Sequence, residues 1–310
     1  MASKGRTVPA TPFVLLVLAA GLAWGAGRLL SRRARWLVPA AVTAGMAGVF
    51  LAYPHAFDSG PLVAPTGYLN ANATLASLGA AACAILSVLV RPRLLRPVAW
   101  LAGWGFVALP ALSQTLGHRL DPSAGGTIAG ALVLLAVAVV TLRPRTARTL
   151  ILAVPVLVLA AGVWTAAVGA LYRPGAAHQD AIVTLSDRVL TERRSALWHD
   201  AVVIAAAHPV RGVGPDGFAQ ASPVARRYPY ARWAHSVWLQ QAADQGLVGL
   251  GVLLLAAGWL WWPYRSRRDP QGVVAAWVLG GVLLAASVDY VLFFPAVTLL
   301  WVGLVGSRET

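Results

Sequence analysis

The stretch HSVWLQQAADQGLVGLGVLLLAAGWLWW, residues 235–262, begins with polar side chains and continues as an apolar run long enough to cross a membrane. Similar apolar runs recur along the chain. Of its 310 residues, 58% are hydrophobic and 12% are charged, whereas soluble domains average about 45–50% and about 25%. One soluble core would not need this much apolar sequence. The sequence therefore predicts an all-α polytopic integral membrane protein.

Hydropathy predicts about nine transmembrane helices. They are Pro12–Leu30, Trp36–Tyr53, Ala71–Val90, Val98–Leu116, Gly126–Leu142, Leu150–Leu171, Val237–Trp262, Gly272–Tyr290 and Val291–Gly306. The last two are close enough in sequence to form a re-entrant pair instead. Three regions follow from these spans: residues 1–171 with six helices, a long loop over residues 172–234, and residues 235–310 with three helices.

Four short connections between the predicted spans are rich in arginine, around residues 28–35, 91–97, 143–148 and 265–269. With nine spans, all four lie on one side, which the positive-inside rule assigns to the cytoplasm. The loop of residues 172–234 is then extracytoplasmic. The net charge of +14 reflects either a GC-rich genome or guanidinium groups that bind phosphate. The single cysteine, Cys83, excludes a disulfide framework.

The long loop contains one good helix candidate, Thr191–Ala207. Its apolar residues recur at steps of three and four, which places them on one face. One interpretation is an amphipathic helix at the membrane surface, with Trp198 at the headgroup level. That interpretation does not explain Arg193 and Arg194 in the first turn, where the helix dipole favours an acid.

The segment GVGPDG, residues 212–217, matches the letters of a dinucleotide-binding fingerprint. No βαβ pattern surrounds it, so we interpret it as a tight turn. Farther on, His235 stands at the mouth of a predicted span and Gln240 and Asp244 lie deeper within it. An ionisable residue inside a span is costly, so Asp244 is either functional or the partner of an arginine such as Arg232.

Together these segments resemble the O-antigen ligase and O-antigen polymerase superfamily. The pattern R-x-x-x-W, then P, then G-V-G-P-x-x-F is met by Arg194, Trp198, Pro209, Gly212, Val213, Gly214, Pro215 and Phe218. The pattern H-[NS]-x-x-L-Q-x-x-x-[ED]-x-G-x-x-G is met by His235, Ser236, Leu239, Gln240, Asp244, Gly246 and Gly249. Upstream, PTGYLNANA (Pro65–Ala73) is similar to a G-Y-x-N-A element of that family.

The resemblance implies a bacterial enzyme that moves a glycan from an undecaprenyl-type diphosphate carrier to an acceptor hydroxyl on a glycan or lipid. The reaction would occur at the outer face of the cytoplasmic membrane. His235 is the expected base, because imidazole titrates near neutrality. Arg194 is the expected catalytic cation, and it would bind the diphosphate together with Arg211 and Arg232.

Further residues are expected to support the site: Trp198, Gly212, Gly214, Asn70, Gln240 and Asp244. Asp244 lies nine residues beyond His235, about 13–14 Å along a helix, which is too far to orient the imidazole directly. We expect neither a metal ion, nor a cofactor, nor a nucleic-acid partner. Three alternatives stay open: a ligase or a polymerase, a transferase acting on protein hydroxyls, and a non-catalytic transporter or scaffold in polysaccharide export.

Overall fold

A computed structural model describes residues 10–57, 63–90, 94–116, 124–228 and 231–307 of the chain. The helices in these ranges are α1 (Ala10–Arg33), α2 (Leu37–Ala52), α3 (Leu69–Leu89), α4 (Leu95–Leu116), α5 (Ala124–Leu142), α6 (Ala147–Leu171), α7 (Ala181–Val189), α8 (Glu192–Ala207), α9 (Phe218–Ala221), α10 (Pro223–Arg227), α11 (Val237–Trp261), α12 (Pro270–Val288) and α13 (Pro295–Gly306). Short 3-10 turns follow α5, α11 and α12.

Each predicted span coincides with one of the long or apolar helices, α1–α6 and α11–α13. Within the described ranges, four segments are long and apolar enough to cross a membrane: Leu69–Leu89, Pro144–Leu171, Val237–Tyr264 and Pro270–Val288. Shorter apolar stretches are Leu18–Leu30, Leu37–Ala52, Thr127–Leu142 and Pro295–Gly306. The count of nine crossings therefore stays a prediction. The architecture is all-helical and consistent with a polytopic membrane protein. Residues 91–93, in one of the basic connections, lie outside the described ranges.

Helix α3 forms the centre of the bundle and packs against α2, α4, α5, α12 and α13. Its sequence, LNANATLASLGAAACAILSVL, consists largely of small residues, most of which are buried. Small residues allow helix backbones to approach closely where no aqueous hydrophobic effect drives association. A Cβ on Gly130 of α5, for example, would lie 2.9 Å from the Ser77 hydroxyl of α3.

The helix predicted over Thr191–Ala207 is confirmed as α8. Thr191 is its N-cap, and the Thr191 hydroxyl accepts a hydrogen bond from the Arg194 amide. Glu192 supplies an acid in the first turn beside the two arginines. Trp198 is fully buried against α6 and α11, so its side chain is not exposed to headgroups as the interfacial interpretation expects.

A kink in α11 receives the glycine-rich turn that follows α8. Gly246 interrupts the helix with φ 65° and ψ −161°, so the Leu247 amide donates to the Pro209 carbonyl instead of to its own helix. The Ala243 and Asp244 carbonyls accept hydrogen bonds from the amides of Val213 and Gly214. Backbone groups released by the kink are therefore satisfied by the turn.

The turn and the kink approach so closely that neither has room for a side chain. A Cβ on Gly212 (φ 63°) would lie 2.3 Å from the Asp244 carbonyl carbon, and one on Gly246 would lie 2.4 Å from the Val210 carbonyl. The interpretation of GVGPDG as a tight turn is thus confirmed. Gly212 is needed for contact with α11, and no strand precedes the turn in the described chain.

We expect Gly246→Ala to destabilise the protein, because alanine disfavours the left-handed backbone region and its Cβ would meet Val210. The cost should be about 2–4 kcal/mol, measured as a clear fall in the melting temperature of detergent-solubilised protein. Gly251→Ala is the matched control on the same helix, since its Cβ would meet nothing within 4 Å. Equal effects of the two substitutions would contradict the docking described above.

Candidate active site

The carboxylate of Asp289 lies where α12 ends and joins the two residues that the sequence singled out first. Asp289 is only 4% exposed. The Arg194 guanidinium of α8 donates to its Oδ2 at 2.8 Å, and His235 Nδ1 lies 3.1 Å from its Oδ1. Arg194 and His235 are therefore brought together by an acid that the sequence analysis did not name.

The segment before α3 closes the other side of the same carboxylate. The Tyr68 hydroxyl lies 2.9 Å from both oxygens of Asp289, and the Asn70 amide also donates to Asp289 and to Tyr68. The Tyr290 backbone amide completes the set at 2.7 Å. Every group around Asp289 in this network is a donor, which suits an ionised carboxylate.

Asn70, which the sequence analysis expected to support the site, contacts Asp289 in this network. Asn72, two residues later, has other partners. The Asn72 amide donates to the carbonyls of Ala56, Val63 and Ala64, and its oxygen accepts from the Thr66 hydroxyl. Asn72 therefore organises the chain that leads into α3 and does not contact Asp289.

His235 is held in an unusual backbone conformation. Its φ is 53°, a left-handed value that is uncommon outside glycine, and its carbonyl accepts a hydrogen bond from the buried Trp198 indole. This contact assigns Trp198 a positioning role on the histidine backbone. Strained residues of this kind occur preferentially at functional sites, where the surrounding structure over-determines them.

Gln240 and Asp244 brace the same segment from within α11. The Gln240 side chain accepts a hydrogen bond from the Ala234 amide, next to His235, and donates to Asp244 at 2.8 Å. The other Asp244 oxygen accepts from the Phe218 amide at the start of α9. Asp244 thus acts on His235 only through intermediaries. It is not the partner of Arg232, which pairs with Asp216 at 3.3 Å.

The remaining arginines of this region lie at its surface. Arg211 is exposed in the turn, and the Arg232 side chain is 53% exposed. Arg193 is exposed and stacks over the Tyr228 ring at 4.9 Å, while its neighbour Arg194 is buried. The two adjacent arginines therefore face different surroundings, as helix geometry requires.

At the centre of the site, Asp289 favours its deprotonated form and His235 favours its neutral form. Burial by itself would raise the pKa of Asp289, but the charge of Arg194 and then the contact with His235 hold that pKa at about 2. Burial lowers the pKa of His235 below 6.5, and the effect exceeds the opposing hydrogen bond to Asp289. The charges of Arg194 and Arg193 lower the pKa of His235 further.

These tendencies fix the tautomer of His235. An ionised Asp289 can only accept hydrogen bonds, so the neutral imidazole carries its proton on Nδ1 and presents a lone pair on Nε2. The His235 side chain keeps 14% exposure, against 6% for Asp289. The arrangement can accept a proton from a hydroxyl group, and the carboxylate then stabilises the imidazolium that forms.

Asp289 was detectable in the sequence by a rule that was applied only to Asp244. It lies near the end of the predicted span Gly272–Tyr290, and an acid inside a predicted span is a functional candidate by default. Its partners were not detectable, because Arg194 is 95 residues away and Tyr68 is 221 residues away along the chain.

The fold is consistent with a multi-pass helical membrane protein, and its site contains a buried network of His235, Asp289 and Arg194. Residues 120–254, which include Arg194 and His235, match the family model Wzy_C, O-antigen ligase. A comparison with curated proteins gives no match. The family-model match confirms the resemblance to the O-antigen ligase superfamily. This family relationship supports a role in polysaccharide biosynthesis by glycan transfer.

Replacing Asp289 with Asn should destabilise the protein, because Arg194 would remain buried without its counter-charge. A buried charge that loses its partner costs roughly 3–5 kcal/mol, which corresponds to a fall of roughly 5–10 °C in melting temperature. The double variant Arg194→Gln/Asp289→Asn should melt closer to wild type than the single variant does, because no unpaired charge is left.

The matched control for this prediction is Asp269→Asn, at the start of the same helix. Asp269 pairs with Arg267 but is 42% exposed, and asparagine can still cap α12. The control should therefore melt within about 2 °C of wild type. A double variant less stable than Asp289→Asn alone would contradict the pairing.

Proposed function

We propose that the protein transfers a glycan from a polyprenyl diphosphate carrier of the undecaprenyl type to an acceptor hydroxyl. The observation that carries the proposal is the single buried carboxylate that fixes both a neutral histidine and an arginine in the O-antigen ligase domain. A base can remove the proton of an attacking hydroxyl, and a nearby cation can stabilise the negative charge of the leaving group.

In this proposal, His235 Nε2 takes the proton of the acceptor hydroxyl while the hydroxyl oxygen attacks the anomeric carbon. The bond from that carbon to the diphosphate oxygen breaks, and the carrier leaves as a free diphosphate. Asp289 is a positioning residue: it keeps the proton of His235 on Nδ1 and stabilises the imidazolium that forms. None of these steps draws on a metal ion.

The diphosphate gains negative charge as it leaves, so nearby guanidinium groups stabilise the transition state more than the bound substrate. Arg194 uses Nη2 for Asp289, and a guanidinium has five N–H donors in total. Arg194 also has a side-chain hydrogen bond with Tyr68. We assign the donors of Arg194 that neither Asp289 nor Tyr68 engages to the diphosphate. The exposed Arg211 and Arg232 would assist at the rim of the site, and Arg193 contributes charge that reaches His235.

The proposed location is the bacterial cytoplasmic membrane, with residues 172–234 on its outer face. The positive-inside rule supports this orientation, because the connection after α5 and the one after α11 both carry arginine clusters. The donor lipid would then present its diphosphate near α8, and its hydrocarbon tail would lie against exposed apolar helices such as α11. The acceptor would be a glycan or a lipid at the same face.

Deletion and complementation of the gene test the transfer activity directly. Wild type should restore long or attached surface polysaccharide, whereas His235→Ala and Arg194→Ala at matched membrane levels should leave lipid-linked precursor. Loss of a general base costs about 10²–10⁴-fold in rate, enough to remove the product from a gel. The control is His178→Ala, an exposed histidine of the same region, which should complement fully.

The product pattern separates the remaining alternatives. A ladder of repeat lengths indicates a polymerase, a glycan moved onto one acceptor lipid indicates a ligase, and glycosylated protein indicates a protein transferase. Full complementation by both His235→Ala and Arg194→Ala would overturn the proposal and favour a non-catalytic role in polysaccharide export.

The pH dependence of kcat/KM should report the protonation state of His235 in the free enzyme. Only the neutral imidazole accepts a proton, so the rate should be constant at neutral pH and fall as the pH drops through a midpoint below 6.5. Arg193→Gln should move this midpoint to higher pH, because the charge of Arg193 lowers the pKa of His235.

Arg227→Gln is the matched control for the pH experiment, since Arg227 is exposed and stacks over the same Tyr228 ring at 5.6 Å. We expect a smaller movement of the midpoint for this variant. A midpoint that shifts to lower pH in Arg193→Gln, or that matches wild type, would contradict the role of His235 as the titrating base.

A further inference from the structure

A stack of aromatic rings begins beside His235 and runs outward from the active site. The Tyr290 ring meets the His235 imidazole edge-on, with centroids 4.6 Å apart and an interplanar angle of 86°. Tyr68 and Trp233 both stack on Tyr290, with centroid distances of 4.6 Å and 4.5 Å. Tyr290 alone therefore separates the Trp233 ring from the histidine.

The stack is buried at its inner end and accessible at its outer end. Tyr290 is 8% exposed, whereas Trp233 is partly exposed and Phe293 is 46% exposed. Phe293 lies against Trp233 at a centroid distance of 5.6 Å and a tilt of 41°. We call Trp233 and Phe293 the aromatic platform. Packing of the inner rings against one another leaves this platform as the part available to a ligand.

A pair of charged side chains contacts the platform. The Arg232 guanidinium lies over the Trp233 ring, 5.7 Å from its centroid, and donates to Asp216 at 3.3 Å. Both side chains keep substantial exposure, 53% for Arg232 and 35% for Asp216. The edge of the platform thus offers both a donor and an acceptor next to an apolar face.

This combination matches the chemistry of a pyranose ring. A pyranose presents C–H groups on one face, which pack on an aromatic ring, and hydroxyls at its edge, which bond to charged or polar side chains. A polyprenyl chain would use the aromatic face but would leave the Arg232–Asp216 pair without a role. The mixed platform and rim therefore favour a sugar over a lipid tail.

We propose that the aromatic platform of Trp233 and Phe293 is a sugar-binding subsite that stacks a pyranose ring of the glycan next to His235. This inference rests on the proposed function, since it assigns a part of the same substrate to a place beside the proposed base. A sugar held there would lie within two ring contacts of His235, through Tyr290.

Saturation-transfer difference NMR on the full-length protein in detergent tests the subsite without requiring transfer. The probes are methyl glycosides of glucose, galactose, mannose and N-acetylglucosamine. We expect at least one of them to receive saturation mainly on the C–H groups of one ring face. Trp233→Ala should weaken its Kd about tenfold, and Phe293→Ala should weaken it less, in keeping with the worth of single aromatic contacts.

Trp233→Phe keeps an aromatic face and should retain most of the binding, which separates stacking from a general defect in folding. The control is Trp259→Ala, which removes a tryptophan of α11 that is 66% exposed and outside the site, and it should bind as wild type does. The inference is overturned if no probe binds wild type, or if Trp233→Ala and Phe293→Ala both bind as wild type does.

Failure of the inference and failure of the proposed function give different results. If the variants complement in cells as the proposed function predicts but probe binding does not depend on Trp233, the subsite is contradicted and the transferase activity stands. If probe binding depends on Trp233 but His235→Ala and Arg194→Ala both complement fully, the subsite is supported and the proposed transfer reaction is contradicted.

Discussion

The buried carboxylate of Asp289 accepts hydrogen bonds from four side chains that come from three separate parts of the chain. A charge this deeply buried is tolerated only when it is paired and fully hydrogen-bonded. The start of α3, the first turn of α8, the segment that leads into α11 and the end of α12 must therefore meet at one point. The positions of the helices around the site follow from that requirement.

The helices can meet there because the chain provides small residues wherever two backbones touch. The turn after α8 docks into the kink of α11 through Gly212 and Gly246, and α8 lies on α6 at Gly169, where a Cβ would come within 2.6 Å of the Trp198 carbonyl. This packing places the Trp198 indole on the His235 carbonyl. The residues between α6 and α11 thus share a hydrophobic core with these two helices, and this core fixes the histidine backbone.

The site separates charge by depth. Arg194 and Asp289 form a neutral buried pair, and the exposed arginines Arg193, Arg211 and Arg232 surround it. Burial favours the neutral form of His235 and Asp289 orients it. An exposed cationic rim would suit the multiply charged diphosphate of the proposed donor. The O-antigen ligase match supports glycan transfer, and this division of charge fits the proposed donor.

Hydropathy was sufficient to place the apolar helices, and the period of three and four residues was sufficient to place α8, because both signals depend on the local order of residue types. The loop motifs likewise identified Arg194 and His235. The sequence did not reveal Asp289 as their partner, since one acid at the edge of an apolar run hardly changes an averaged hydropathy. Tertiary structure alone decided which acid the buried arginine and histidine share, because a buried charge is satisfied by neighbours in space, and these lie 54 to 221 residues away along the chain.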